Sequence, residues 1–350
     1  MFRHNKFFFP VLIVLLIAML LSAIAFGAVH IQVGDMFSSL KHFFEGDKPA
    51  NIHEAVFIQL RLPRVLLCAI TGAILAVSGV LMQGLFRNPI VEPGLVGTSA
   101  GAAFGASIVF VLGAKMGVEF KSQMGPLLVP LFASGGGMLA TFAVYTLAKN
   151  ITRVSIMSLL LIGIAINAVG LSGTGFMSYI ARDPQARSIT FWNLGTFSGA
   201  SWQQVFIVGA VATIIFIFSF RLSKQLNALL LGEEEAGYIG VDANKLKRRV
   251  MVLNTIMVSV ATAFVGVIAF MGLIVPHVMR LLIGSDNKRL LPASMIAGAL
   301  LLTLADMGAR LLLAPAEIPI GIITSLVGAP VFIILLKSYN ILQHKGGMNA

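Results

Sequence analysis

Residues 61–105 read RLPRVLLCAITGAILAVSGVLMQGLFRNPIVEPGLVGTSAGAAFG. Two arginines three positions apart, Arg61 and Arg64, open the stretch. An apolar run then continues to Phe86, long enough to cross a bilayer, which takes about 20 mostly apolar residues. The turn Arg87-Asn88-Pro89-Ile90-Val91-Glu92-Pro93-Gly94 stops it, because each proline lacks an N–H and obstructs a helix. The chain restarts with Gly97, Gly101 and Gly105 at four-residue spacing, a face that lets another helix approach closely. Non-helical backbone at membrane depth is tolerated only against protein or a water-filled cavity. The turn is therefore expected to line the mouth of a pathway.

Working outward, nine more apolar stretches join 62–86: 7–29, 94–113, 126–148, 154–180, 203–220, 250–264, 267–283, 290–313 and 318–337. The pair 250–264 and 267–283 is short enough to be one long bent element. With 57% hydrophobic residues, 11% charged and a mean hydropathy of +0.93, the chain carries less than half the charge of a soluble domain, about 25%. Ten-residue segments of alternating polarity are missing, which excludes a membrane β-barrel. The expected class is all-α: one polytopic domain over 1–350, about ten transmembrane helices in two weakly similar halves, both termini cytoplasmic.

The net charge of +11 is a topological signal rather than a nucleic-acid footprint. With ten spans and an inside N-terminus, 16 of the 25 Lys/Arg fall on the cytoplasmic side and 9 outside. Arg3 and Lys6 before an apolar run resemble a signal peptide, but no cleavage site follows, so the run is read as a retained first span. Residues 30–60 form the first outer loop, with Met36–Phe44 as a short surface helix. Cys68, the single cysteine, allows no internal disulfide and offers no metal cluster.

Later segments are informative for different reasons. Asn167 is expected to donate across helices. Segment 181–202, with Trp192 and Trp202, predicts belt anchors and a short helix near the outer mouth. Segment 221–249 is the longest polar insertion. Gly232 and Gly240 divide it, and Glu233 and Glu234 suit a helix start between them. Segment 265–289 holds Gly272, Pro276, His277 and Arg280 in an interrupted apolar run, the counterpart of the break at 88–94; paired interruptions mark internally repeated transporters. His277 reads as a packed helix residue. Asp306 and Arg310 read as an i,i+4 ion pair.

No phosphate loop of the form G-x-x-x-x-G-K-[ST] occurs, and neither H-E-x-x-H nor G-x-S-x-G. The chain is read as a translocation subunit without catalytic residues or a cofactor of its own. An ion-coupled secondary carrier would need several intramembrane acids, and Asp306 is essentially the sole candidate.

The motifs together resemble one family. Arg61-Leu62-Pro63-Arg64, Gln83 to Pro89, Glu92 to Gly97, Leu231 to Glu234, Gly272 to Arg280, Ala305-Asp306, Glu317 to Gly321 and Gly328-Ala329-Pro330 occur in the order seen in FecCD-type permease subunits of bacterial type II ABC importers for iron-chelates, haem and vitamin B12. That resemblance implies a homodimer in the bacterial inner membrane. It also implies two ATPase subunits using ATP and Mg, and a periplasmic or lipid-anchored substrate-binding protein. By position it implies binding-protein docking at Arg61, Arg64 and Arg310, and an inner gate at Asn88 and Ile90. ATPase coupling would involve Gly232, Glu233, Glu234, Gly240, Lys245 and Lys247. Haem is favoured as substrate over ferric siderophore on the look of Ala181–Trp192, with cobalamin third.

Overall fold

The computed structural model describes residues 6–27, 45, 51–113, 118–149 and 155–346. Met36–Phe44 lies outside them. The described residues form α-helices: α1 (Phe8–Ala25), α2 (Ile52–Val56), α3 (Leu62–Phe86), α4 (Thr98–Leu112), α5 (Val118–Ala148), α6 (Ile156–Ile180), α7 (Gln185–Asn193), α8 (Trp202–Arg221), α9 (Ser223–Leu229), α10 (Glu233–Tyr238), α11 (Ala243–Val265), α12 (Met271–Ile283), α13 (Asn287–Leu311) and α14 (Ile320–Gly346). A π-turn over Phe57–Arg61 joins α2 to α3, and a 3₁₀ turn over Pro93–Val96 precedes α4.

Seven helical segments have the length and composition of membrane spans: α1, Ile52–Phe86, Gly125–Ala148, α6, α8, α11 and α13. Three shorter apolar helices, α4, α12 and Ile320–Leu335 of α14, fill the remaining predicted stretches. The chain is an all-α, multi-pass membrane protein. Segments 250–264 and 267–283 are two helices, not one bent element. They part at 266–270, where Gly266 (φ 79°) and Phe270 (φ 66°) turn the backbone left-handed.

Helix α3 is the centre of the molecule, with α13, α11, α12 and α8 packed around it. Residues Val80, Leu81, Met82 and Leu85 have no exposed surface. Two contacts bring backbone against backbone. A Cβ on Gly72 would overlap the carbonyl oxygen of Gly298 in α13, and one on Gly79 the carbonyl oxygen of Gly272 in α12. Small residues at helix contacts permit this approach, which in a bilayer replaces the missing hydrophobic drive. The Gly97/Gly101/Gly105 face does the same in a second group of helices, with Gly101 against Gly136 and Gly105 against Phe132 of α5. Helix α6 turns Leu161, Ile164, Leu171 and Phe176 outward. This is the inverse of a soluble protein and suits an apolar surround.

Three non-helical stretches meet below α7. The Thr196 N–H donates to the Val265 carbonyl (2.8 Å), the Ile320 N–H to Gly195 (3.1 Å) and the Gly321 N–H to Leu194 (2.8 Å). These bonds pair part of the backbone that the breaks leave free, as a membrane interior favours.

Candidate functional site

At the Arg61 end of α3 the three predicted arginines converge, and each is already engaged. Arg61 is 6% exposed and donates from Nη1 to the carbonyls of Ile24 (2.6 Å) and Ala25 (2.9 Å), the last turn of α1. Arg310 donates to the Ala23 carbonyl (2.9 Å) in the same turn. A helix C-terminus presents unpaired carbonyls with partial negative charge, so two cations there cap α1.

Arg64 spans two carboxylates. Its Nη2 lies 2.9 Å from Asp306 Oδ1 and its Nη1 2.8 Å from Glu317 Oε1. The expected Asp306–Arg310 pair is present at 3.1 Å, so Asp306, 2% exposed, is shared by two guanidinium groups. Glu317, its side chain 40% exposed, is the most accessible member of the cluster.

At the other end of α3, Arg87 (φ 51°) closes the helix, with the Asn88 N–H donating to the Gln83 carbonyl (3.2 Å). This double wrap satisfies terminal carbonyls that would otherwise be orphaned. Asn88 Oδ1 accepts from the Ile90 N–H (3.0 Å), so the side chain of one predicted gate residue shapes the backbone of the other. Ile90 is exposed. With Pro89 it lines a narrow cleft against Leu273, Ile274 and His277 of α12 and Phe332 of α14.

The same turn then runs up against the α11–α12 break. Glu92 accepts a hydrogen bond from the Phe270 N–H (3.0 Å), and Asn254 of α11 donates to the Pro93 carbonyl (3.3 Å) while bonding Ser78 of α3. Asn167 of α6 donates to the Leu95 carbonyl (3.0 Å), the cross-helix role expected of it. The two interruptions that the sequence placed in separate halves are therefore in direct contact. Sequence reasoning named Glu92 and Gln83 as motif positions without their bonds, and missed Asn254; the Gln83 amide bridges to the Leu273 carbonyl and to Arg280.

The polar insertion folds as α9, α10 and the first turns of α11. Gly232 (φ 144°) and Gly240 (φ 83°) stand at the two bends, conformations that favour glycine. Asp242 caps α11 by accepting from the Lys245 N–H (3.0 Å). That bond, with the Lys245 charge, holds its carboxyl below the ordinary value. Glu234 and Lys245 are exposed, whereas Lys247 is 2% exposed and pairs with Glu233 at 2.7 Å. Glu233 and Lys247 thus brace α10 against α11. The exposed apolar tip is Leu231, Tyr238 and Ile239, which charge and glycine patterns did not single out.

The insertion is anchored through Asn227 of α9, which donates to Asp286 (2.6 Å) and accepts from the Asn287 N–H (2.8 Å) at the start of α13. Burial pushes the Asp286 carboxyl up. The Asn227 bond, the Lys288 N–H and the Lys288 and Arg289 charges outweigh it and hold the group below its usual range.

The chain is similar to known transport proteins along nearly its whole length. Residues 14–338 match the model of the FecCD transport family. The hemin transport system permease protein HmuU of Yersinia pestis is 40% identical over 284 residues, 80% of this chain and 83% of that one. The vitamin B12 import system permease protein BtuC of Vibrio parahaemolyticus is 34% identical over 326 residues, 93% and 94% of the two chains. Among solved structures, an inward-facing conformation of a transporter described as of the metal-chelate ABC type superposes with a TM-score of 0.82 at 30% identity, covering 96% of this chain and 100% of that one.

Proposed function

The chain belongs to the FecCD transport family, a transport component and not an enzyme, and from that premise we propose that it is the permease subunit through which an ATP-driven importer moves a metal-bearing chelate into the cytoplasm. The observation that carries this reading is the likeness, over 96% of the chain at 30% identity, to an ABC transporter described as of the metal-chelate type. ATP and Mg are used by separate ATPase subunits; two of them, a substrate-binding protein and a second copy of this chain complete the assembly in the cytoplasmic membrane.

Haem is the substrate favoured, on the identity to the hemin permease. Cobalamin is the second reading, on the longer matches to vitamin B12 permeases. The ion-coupled carrier is disfavoured because Asp306, the acid it would use, is held by two arginines.

The cationic cluster Arg61, Arg64 and Arg310 is assigned the outer docking site, supported by its convergence at one end of the bundle. Its three guanidinium groups stand against two carboxylates, Asp306 and Glu317, which leaves the cluster a net positive charge to orient an acidic partner. Asn88 and Ile90 are assigned the inner gate, supported by their place in the cleft with α12 and α14. Gly232, Glu233, Glu234, Gly240, Lys245 and Lys247 are assigned to the ATPase contact. Glu234 and Lys245 offer surface there, and the glycines and the Glu233–Lys247 pair set its shape.

The test is to reconstitute permease, ATPase and binding protein in vesicles. ATPase stimulation is then compared with haem, a ferric siderophore and cobalamin. Stimulation and ATP-dependent uptake greatest with haem are expected. Uptake of none of the three, or uptake without ATPase, overturns the proposal. Docking is read from Arg64→Gln: loss of stimulation by a variant that still folds and keeps its basal ATPase activity with the partner subunits supports it, and full stimulation by the folded variant refutes it.

A further inference from the structure

Two neighbouring grooves on the charge-rich end of α8 and α11 take no part in the roles above. The first, about 530 Å³, lies between α8 and α11 and is lined by Phe218, Arg221, Arg248, Arg249, Val252 and Leu253 among others. The second, about 400 Å³, runs between α5 and α11, with Phe142, Tyr145 and Ile256 in its wall. Arg248 and Val252 belong to both, so the grooves meet at one arginine.

Three guanidinium groups line the first groove, one of them, Arg248, also lines the second, and no carboxylate lines either groove. Among the described residues Arg221, Arg248 and Arg249 form no ion pair; Arg221 lies over the Phe218 ring, 5.7 Å from its centroid. At the far end of α3, by contrast, Arg64 and Arg310 share Asp306, and Arg64 also holds Glu317. The apolar walls continue from the cations into helices of membrane-spanning length.

We propose that this junction binds one anionic diacyl phospholipid of the cytoplasmic leaflet. Its phosphate sits among Arg221, Arg248 and Arg249, with one acyl chain in each groove. Arginine suits the headgroup because its planar fork meets phosphate oxygens in pairs. Basic pockets between membrane helices on the cytoplasmic side are where such headgroups are held. The two apolar channels diverging from one cationic point match the shape of a two-chain lipid rather than that of a free anion.

The experiment uses the full-length protein in nanodiscs of phosphatidylcholine containing a stepped fraction of phosphatidylglycerol. Bound lipid is counted by native mass spectrometry and melting is followed in parallel. Wild type is expected to retain one phosphatidylglycerol and to melt higher as its fraction rises. Arg221→Gln/Arg248→Gln/Arg249→Gln is expected to weaken that retention on the order of a hundredfold, while melting as wild type does in pure phosphatidylcholine. Lys288→Gln/Arg289→Gln/Lys337→Gln removes the same charge elsewhere on that side and should retain the lipid. Equal loss in both triple variants would mean a diffuse charge effect and overturn the site. So would an equal response to glycerol phosphate without acyl chains. Retention by the arginine variant with weakened ATPase binding would assign the arginines to the protein partner instead.

Discussion

The carboxylate of Glu92 accepts a hydrogen bond from the backbone N–H of Phe270, 178 residues further along the chain and 3.0 Å away. It joins the proline-broken turn after α3 to the left-handed break before α12. Phe270 is held at φ 66°, costly for a residue with a Cβ, and its N–H opens a helix that has no side-chain cap of its own. Glu92→Ala leaves that N–H without an acceptor, at a cost of about 1–3 kcal/mol. Lower thermal stability in detergent and proteoliposomes leakier to small solutes are expected. Glu92→Gln keeps an acceptor oxygen and should sit near wild type. Equal behaviour of the two variants would deny the brace.

Asp306 is the hinge of the opposite end. Replacing one member of a buried ionic group while its partners remain costs about 3–5 kcal/mol. Asp306→Asn is therefore expected to lower the melting temperature sharply, since Arg64 and Arg310 lose their shared counter-charge. The pH profile of uptake by the surviving folded fraction should keep its shape. A flattened profile with unchanged stability would instead support proton coupling.

Gly79→Ala puts a methyl group into the Gly272 carbonyl, and Gly72→Ala does so at Gly298. Backbone cannot rotate away as a side chain can, so each change should exceed the about 1–3 kcal/mol typical of overpacking and reduce yield of folded protein. Gly308→Ala in α13 meets nothing within 4 Å and serves as the control, expected neutral or slightly stabilising. Fluorescence size-exclusion of the three variants separates these outcomes.

Asp286 makes stability pH-dependent. Its folded value lies below the ordinary one, so its contribution is complete above the unfolded value of about 4 and fades as pH falls through the lower folded value. Acid melting curves of wild type should steepen in that window. Asp286→Asn should be less stable at neutral pH and lack that step, because the α9–α13 anchor no longer carries charge.

The spans and the first break were legible because hydropathy and proline act locally; the second break falls inside 265–289 but at Gly266–Phe270, while Gly272 and Pro276 are carried within α12. The partners of the break were not: no periodicity in 88–94 announces Phe270, and the Arg64–Asp306 pair joins residues 242 apart. The i,i+4 reading of Asp306 and Arg310 found one half of a shared carboxylate for the same reason, since spacing sees along a helix and not across. Lys247 was a different miss. It falls on the stripe 247, 251, 254, 258 that α11 buries, so helical spacing already separated it from exposed Lys245. Leu231, Tyr238 and Ile239 escaped because apolar residues in an apolar chain carry no contrast.

The Gly72–Gly298 and Gly79–Gly272 contacts have a kinematic consequence. Helices that touch through side chains can slide by exchanging rotamers. Three helices touching main chain to main chain have nothing to exchange. Helices α3, α12 and α13 therefore turn as one axle, and a change of shape around it falls to the irregular segments that border them, the turn 87–97 and the stretches 194–197, 265–270 and 317–321.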